Sequence, residues 1–402
     1  MRTSAILFSI LVSTGFAAHA QPWEFGTPIP ISATTDGKAF HHLESSGRRS
    51  LAVSGNRVGV TWEDDRDGTP RAYLGLKSVD QDGFRETLLT PDTEAFEPSI
   101  AALPDGRFVI AWEQDGQIFA RTADGTPRQL SEHHGAQASL LGTPDGAVVV
   151  YAERPERFAQ IRLRRITAST DGSLALSPAC AIDPVIPIDE QLYPAAALSG
   201  DRLVVAWEDR RPKHTIIMAA MQTGECTFTT PQRVNIRPRT GAGSRTLPYG
   251  TGSGVSRVAI AAYADNKVFA AWADKRNFRH GYDIWGADLN PTSGQPGANQ
   301  QVQDAFGELA PQWHTSVAGH PGGALLVAWD DGREGNADIM LSWREDGEWS
   351  DDLPLPGASG SGEQAHPSIV IDASGNLHVA WVERDDKNGP TRLRYLLGTR
   401  TR

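Results

Sequence analysis

The sequence predicts an all-β fold, a seven-bladed β-propeller with four-stranded antiparallel blades whose last blade is completed by the N-terminal strand. Three observations lead there. One aromatic-centred phrase returns seven times. Its spacing suits four short strands and their turns. The expected mature chain also opens with the strand that the last copy of the unit lacks.

The chain begins with a segment that reads as a targeting signal. Arg2 gives a positive start, Ala5 to Phe16 is apolar, and Ala18-His19-Ala20 fits a small-x-small cleavage pattern. Residues 1–20 are therefore expected to be removed on export, and 21–402 to form one propeller in the periplasm or outside the cell. No later run approaches the 18 apolar residues of a membrane span. The formal charge of -11 argues against nucleic acid and anionic membranes as bulk partners. A monomer is expected.

The repeated phrase reads Val58-Gly-Val-Thr-Trp62-Glu-Asp, Phe108-Val-Ile-Ala-Trp112-Glu, Leu203-Val-Val-Ala-Trp207-Glu-Asp, Val268-Phe-Ala-Ala-Trp272-Ala-Asp, Leu325-Leu-Val-Ala-Trp329-Asp-Asp and Leu377-His-Val-Ala-Trp381-Val-Glu, with Tyr151 in place of Trp in the remaining copy. The aromatics are 50, 39, 56, 65, 57 and 52 residues apart. Before each comes a short strand such as Pro98-Ser-Ile or Pro367-Ser-Ile. After each come a polar turn, a third strand, an Asp-Gly turn and a fourth strand. Short β-rich runs punctuated by Asp-Gly are hairpins with positive-φ turns. Asp64 with Arg66, Asp209 with Arg211, Asp274 with Arg276, and Asp331 with Arg333 recur just beyond the Trp. A device repeated in most blades serves the repeat, so these pairs and the Trp ring are read as structural.

The ends of the chain count the blades. After Trp381 one strand remains, so the seventh blade lacks its outer strand. Trp23 to Ile31 resembles the fourth strand of blade six and is expected to fill the gap, pairing an otherwise open edge. Cys180 and Cys226 fall on predicted outer strands of consecutive blades. In an oxidising compartment, such a pair is more consistent with a disulfide than with a redox centre.

The unit resembles the sialidase-like propeller superfamily with its BNR or Asp-box repeats. Degenerate boxes stand at Ser342-Trp-Arg-Glu-Asp346-Gly347-Glu-Trp349 and Ser169-Thr-Asp171-Gly172. The resemblance implies the fold. The sialidase catalytic motif is missing, because Gly47-Arg48-Arg49-Ser-Leu-Ala52 lacks its aromatic and its Pro. Seven repeats rather than six also depart from that active site.

Function is sought where the blades differ. The first residues of the seven inner strands converge on one rim of the funnel. Counted back from each aromatic, they are Arg48, Glu97, Ala136 or Gln137, Tyr193, Arg257, His314 and His366. His41, His42, His133 and His134 precede two of these strands, so five or six of the eleven His gather near one rim. In the leading reading, Arg48 and Arg257 hold an anionic ligand, with Glu97, Tyr193, His314 and His366 lining its pocket. An acidic carbohydrate fits best. The same set suits a glycoside hydrolase or a polysaccharide lyase, since Tyr and His move protons and Arg neutralises a carboxylate. In a second reading, copper or zinc is held by members of the set His41, His42, His133, His134, His314 and His366. In a third, the propeller is a scaffold for another exported protein. The long basic, Gly-rich loop from Pro231 to Ser256, carrying Arg237, Arg239, Arg245 and Tyr249, is a candidate cover for the funnel.

Overall fold

The computed structural model describes residues 21–33, 39–43, 47–236, 254–276, 281–307, 309–345, 347 and 348–401. The expected signal segment and most of the 231–256 loop lie outside them.

Seven antiparallel sheets follow one another around a ring. The innermost strands are Phe96–Ala102 (blade 2), His134–Thr143 (blade 3), Gln191–Ser199 (blade 4), Val255–Ala264 (blade 5), Gln312–Gly319 (blade 6) and Glu363–Ile371 (blade 7). In blade 1 this strand is split into His41–His42 and Leu51–Ser54. Blade 7 closes as the sequence predicts. Trp23–Phe25 pairs with the C-terminal strand Arg392–Arg400, Trp23 opposite Arg400 and Phe25 opposite Gly398, and Ile29–Pro30 extends the same edge. Among the described residues no helix is long and apolar enough to cross a membrane.

The core is divided between the blades rather than centred in any one of them. Seven apolar clusters each combine residues of two neighbouring blades, and the set runs once around the ring. Each phrase aromatic fills the interface with the preceding blade. Trp62, for example, packs among Ala380, Leu393 and Tyr395 of blade 7. All six phrase Trp and Tyr151 are fully buried. A buried indole N–H needs an acceptor. Asp64, Asp209, Asp274 and Asp331 supply it at 2.8–3.2 Å. The Arg two residues beyond each Asp closes the clasp, its own backbone N–H donating to the same carboxylate. Arg66 continues to Glu86, Arg211 to Asp183 and Arg333 to Asp352 on outer segments. The repeated Asp and Arg therefore satisfy the Trp and tie the mouth-side turn to the outer edge of the blade.

Cys180 and Cys226 form a disulfide between blades 3 and 4, with Cα atoms 5.4 Å apart. Cys180 sits on an outer-edge segment of blade 3. Cys226 occupies the turn between Ile216–Gly224 and Thr227–Phe228, not a strand as expected.

The break in blade 1 shapes the funnel. Residues 47–50 leave the sheet and enter the channel. Gly47, at φ 95°, sits so close to blades 4 and 5 that a Cβ there would lie 2.3 Å from the Val258 carbonyl oxygen and 2.8 Å from Ala195 Cβ. Its carbonyl accepts from the Ser139 hydroxyl of blade 3. Arg49 reaches the carbonyls of Leu140, Ala196 and Ile260 on blades 3, 4 and 5, at 3.3, 2.9 and 3.4 Å. Burial pushes its guanidinium down to about 10. A side chain from blade 1 bonded to three blades across the ring is a floor beneath the funnel.

Candidate functional site

Six of the seven rim positions share one backbone irregularity. Glu97, Gln137, Tyr193, Arg257, His314 and His366 all have positive φ, between 49° and 61°. In each blade the inner-strand register slips at this point, for example between Phe96 and Ser99 and between Trp313 and Ser316. Each is a β-bulge that turns one side chain away from the alternating pattern of the strand. The left-handed conformation costs a non-glycine residue about 1–2 kcal/mol, and such strain persists only where the surroundings enforce it. The register also settles blade 3, where Gln137, not Ala136, holds the rim position. In blade 1 the equivalent residue is Arg48, and the positive φ has moved to Gly47.

What holds the bulges was not read from the sequence. In four of the six bulges, the carboxylate just after the preceding blade's aromatic accepts the bulged N–H. Glu63 takes the N–H of Glu97. Glu113 takes that of Gln137 at 2.5 Å, Glu208 that of Arg257 at 2.7 Å, and Asp330 that of His366 at 3.4 Å. Blade 3 has Ala152 at this position, and there the Gln137 side chain caps Tyr193 at 2.7 Å. The signal was the acid in Trp-Glu and Trp-Asp, present in some copies of the phrase and replaced by Ala or Val in others.

The funnel mouth then divides by chemistry. On one side Arg48 is buried, with Nη1 2.5 Å from Glu97 and Nη2 3.9 Å from Glu113, and its Nε donates to the Ala138 carbonyl. Burial and the neighbouring Glu97 push the Glu113 carboxyl up to about 7. Burial also works to raise Glu97, but Arg48 and a hydrogen bond from Glu113 outweigh it and hold that carboxyl below its ordinary value. The two acids beside this one arginine are thus pushed in opposite directions. Arg48, expected as a ligand clamp, is engaged here with the carboxylates of Glu97 and Glu113.

On the other side the guanidinium of Arg257 lies 3.5 Å from the centre of the Tyr193 ring. Such stacking fixes the plane of the cation. His314 and His366 follow, with ring centres 3.8 Å apart. The His314 Nδ1 donates to Asp330 at 2.8 Å, which orients the ring. Among the described residues, no carboxylate bonds the His366 ring, and its buried Nδ1 has no hydrogen-bond partner. Burial first, then His314, His42 and the charges of Arg384 and Arg257, hold it well below the ordinary histidine range, so it is a neutral imidazole. His42 from blade 1 meets its edge, with ring centres 5.6 Å apart, and lies 3.6 Å from Glu63.

Of the six histidines weighed as metal ligands, three come together: His42, His314 and His366. His41 points away from His42, as an adjacent residue on an extended strand must. It is buried between Ser32 and Thr391 in the seam of blades 7 and 1. His133 and His134 are exposed on blade 3, and His134 covers the Gly116 turn of blade 2. Among the described residues no three His, Cys, Asp or Glu side chains are arranged to hold a metal ion.

No protein-family model matches the sequence, and a comparison with curated proteins finds no match. Solved structures do match. A protein of unknown function from Dyadobacter fermentans is 12% identical over 93% of this chain and 99% of its own, with a TM-score of 0.52. The α-L-arabinanase of Penicillium chrysogenum, complexed with arabinobiose, is 11% identical over 92% and 98%, at 0.51. The polysaccharide lyase Uly1 is 8% identical over 88% and 90%, at 0.56. At these identities the likeness shows the fold. It supports the propeller part of the resemblance seen in the sequence and nothing peculiar to sialidases.

Proposed function

We propose that the protein binds an acidic glycan in the funnel mouth and cleaves it by β-elimination next to a uronate. The observation that carries this is the run Tyr193, Arg257, His314 and His366 along one wall, with His314 oriented by Asp330. Arg257 pairs with the uronate carboxylate and draws charge from the neighbouring carbon, which makes its C5 proton acidic. The His314 Nε2 takes that proton, and Asp330 stabilises the imidazolium that results. The electron pair left on C5 forms the C4–C5 double bond as the C4–O bond breaks, and the leaving oxygen takes the proton of the Tyr193 hydroxyl. Two named structures of the same fold, an arabinanase and a polysaccharide lyase, act on carbohydrates by their descriptions, which lends support. Hydrolysis fits less well. It needs two carboxyl groups on opposite sides of a sugar bond, and Glu97 and Glu113 are hydrogen-bonded to each other. The disulfide favours an oxidising compartment, in keeping with export to the periplasm or beyond.

The test is a panel of uronate-containing polysaccharides, with ultraviolet absorbance reporting the unsaturated uronate formed. The expected result is product with at least one of them, a loss of roughly 100-fold or more in kcat for His314→Ala, and loss of binding for Arg257→Ala. Binding without product would reduce the protein to a lectin-like module. Neither binding nor product across the panel would overturn the reading.

A further inference from the structure

A cleft of about 380 Å³ opens along the seam between blades 7 and 1 and begins at the histidines of the funnel. His366 and His42 line it together with Glu363, Arg384, Glu63 and Phe40. The volume lies in the range of small-ligand sites. The lining is mixed in a particular way. Arg384 and Glu363 form an ion pair, with Nε 2.6 Å from Oε2, that presents planar donors and acceptors. Phe40, by contrast, leaves 47% of its surface in water although it borders a concave site. Its backbone is fixed, since its N–H donates to Asp65 at 2.8 Å. An exposed aromatic ring on an anchored backbone, beside hydrogen-bonding side chains, suits a ligand that is apolar on one face and polar at its edge. A pyranose has that form, with C–H bonds on its face and hydroxyls around it.

We infer that this cleft is a second sugar subsite, taking the residue next to the one held at Arg257, with Phe40 as its platform and Arg384 and Glu363 bonding its hydroxyls. The inference rests on the proposed acidic-glycan site and adds to it. The glycan lies across the mouth and leaves along the 7–1 seam, because the channel below is floored by Arg49. Recognition therefore extends over at least two sugars, and affinity depends on chain length.

The experiment is calorimetric titration of the full protein with glucuronates and galacturonates of one to six sugars, from the single uronate upward. The parent is expected to gain tenfold or more in affinity between the shortest oligomer that binds and the one or two next longer. Phe40→Ala should erase that gain and leave affinity for the shortest binder unchanged, and Phe40→Trp should restore it. The same length gain in Phe40→Ala would overturn the subsite, as would a parent that binds short oligomers with no gain at all. In both cases the Arg257 site would stand. If no oligomer of any length bound the parent, the acidic-glycan site would fall and the subsite with it.

Discussion

Glu113 shows how much of this site is set by neighbours rather than by residue type. Its carboxyl ionises near 7, against an ordinary 4.5, because it is buried beside Glu97. The consequence for stability has a definite sign. A carboxyl raised in the folded state favours the protonated form there. Below pH 4.5 both folded and unfolded chains carry that proton, and there is no cost. As pH rises from 4.5 through about 7, the unfolded chain gives it up while the folded chain retains it, and stability falls. Glu97, held low largely by Arg48, works in the opposite sense and loses its contribution on acidification. Replacing Glu113 with Gln should flatten the decline between pH 4.5 and 7 and leave the acid limb in place, as read from melting temperatures across that range. An unchanged slope would show that Glu113 does not govern the decline. The rim residues themselves were legible in the sequence, since alignment on the aromatic is enough to bring Tyr193, Arg257, His314 and His366 to one ring. Their partners were not, because pairing depends on directions that spacing does not encode. Arg48 and Arg257 have equivalent positions, yet one is held by Glu97 and the other lies over Tyr193.

At the scale of elements, the outer architecture follows the repeat and the inner strand of blade 1 does not. The phrase around each Trp sets the second strand, and the Asp-Gly turns set the hairpins. The Asp171-Gly172 turn, for example, holds Gly172 at φ 85°, with Asp171 accepting from both the backbone and the hydroxyl of Ser173. Blade 1 departs because Gly47 allows the chain to leave the sheet. Its positive φ and its approach to Val258 leave no room for a side chain. The sequence showed only a weak match to the inner-strand pattern at Gly47-Arg48-Arg49. Nothing in local spacing indicates that a strand's missing residues cross a channel to bond three other blades. Gly47→Ala is expected to dislodge the floor. The melting temperature should drop by several degrees, and the Arg49 contacts to blades 3, 4 and 5 should be lost, which amide exchange at Leu140, Ala196 and Ile260 would report as faster opening. Parent-like exchange there would show that the floor is held by other contacts.

Over the whole molecule, the two faces differ. The large apolar side chains most exposed to solvent, among them Phe40, Val185, Ile186, Ile188, Phe306, Leu309 and Trp313, all lie at the funnel-mouth ends of the blades. The ring they surround is closed by pairing the two ends of the chain, and the Thr401 hydroxyl donates to the Pro22 carbonyl 379 residues earlier. Removing residues 21–31 would leave Arg392–Arg400 as an open edge. Such a protein is expected to melt at lower temperature and to self-associate on a sizing column, and a peptide of residues 21–33 added in trans should reverse both. A truncated chain that stayed monomeric and equally stable would mean the other strands of the blade suffice. The pairing also has a temporal side. Of all the contacts in the ring, those between its first and last strands span the most chain, so their loop-closure cost is the largest and they form late in folding. The seam between blades 7 and 1 is then where the ring is fastened last and comes undone first. His366 and His42 stand on opposite banks of it. A glycan lodged between them would act as a clasp, slowing the opening of the ring at its weakest join, so occupancy would appear as a longer unfolding half-life as well as a higher melting temperature.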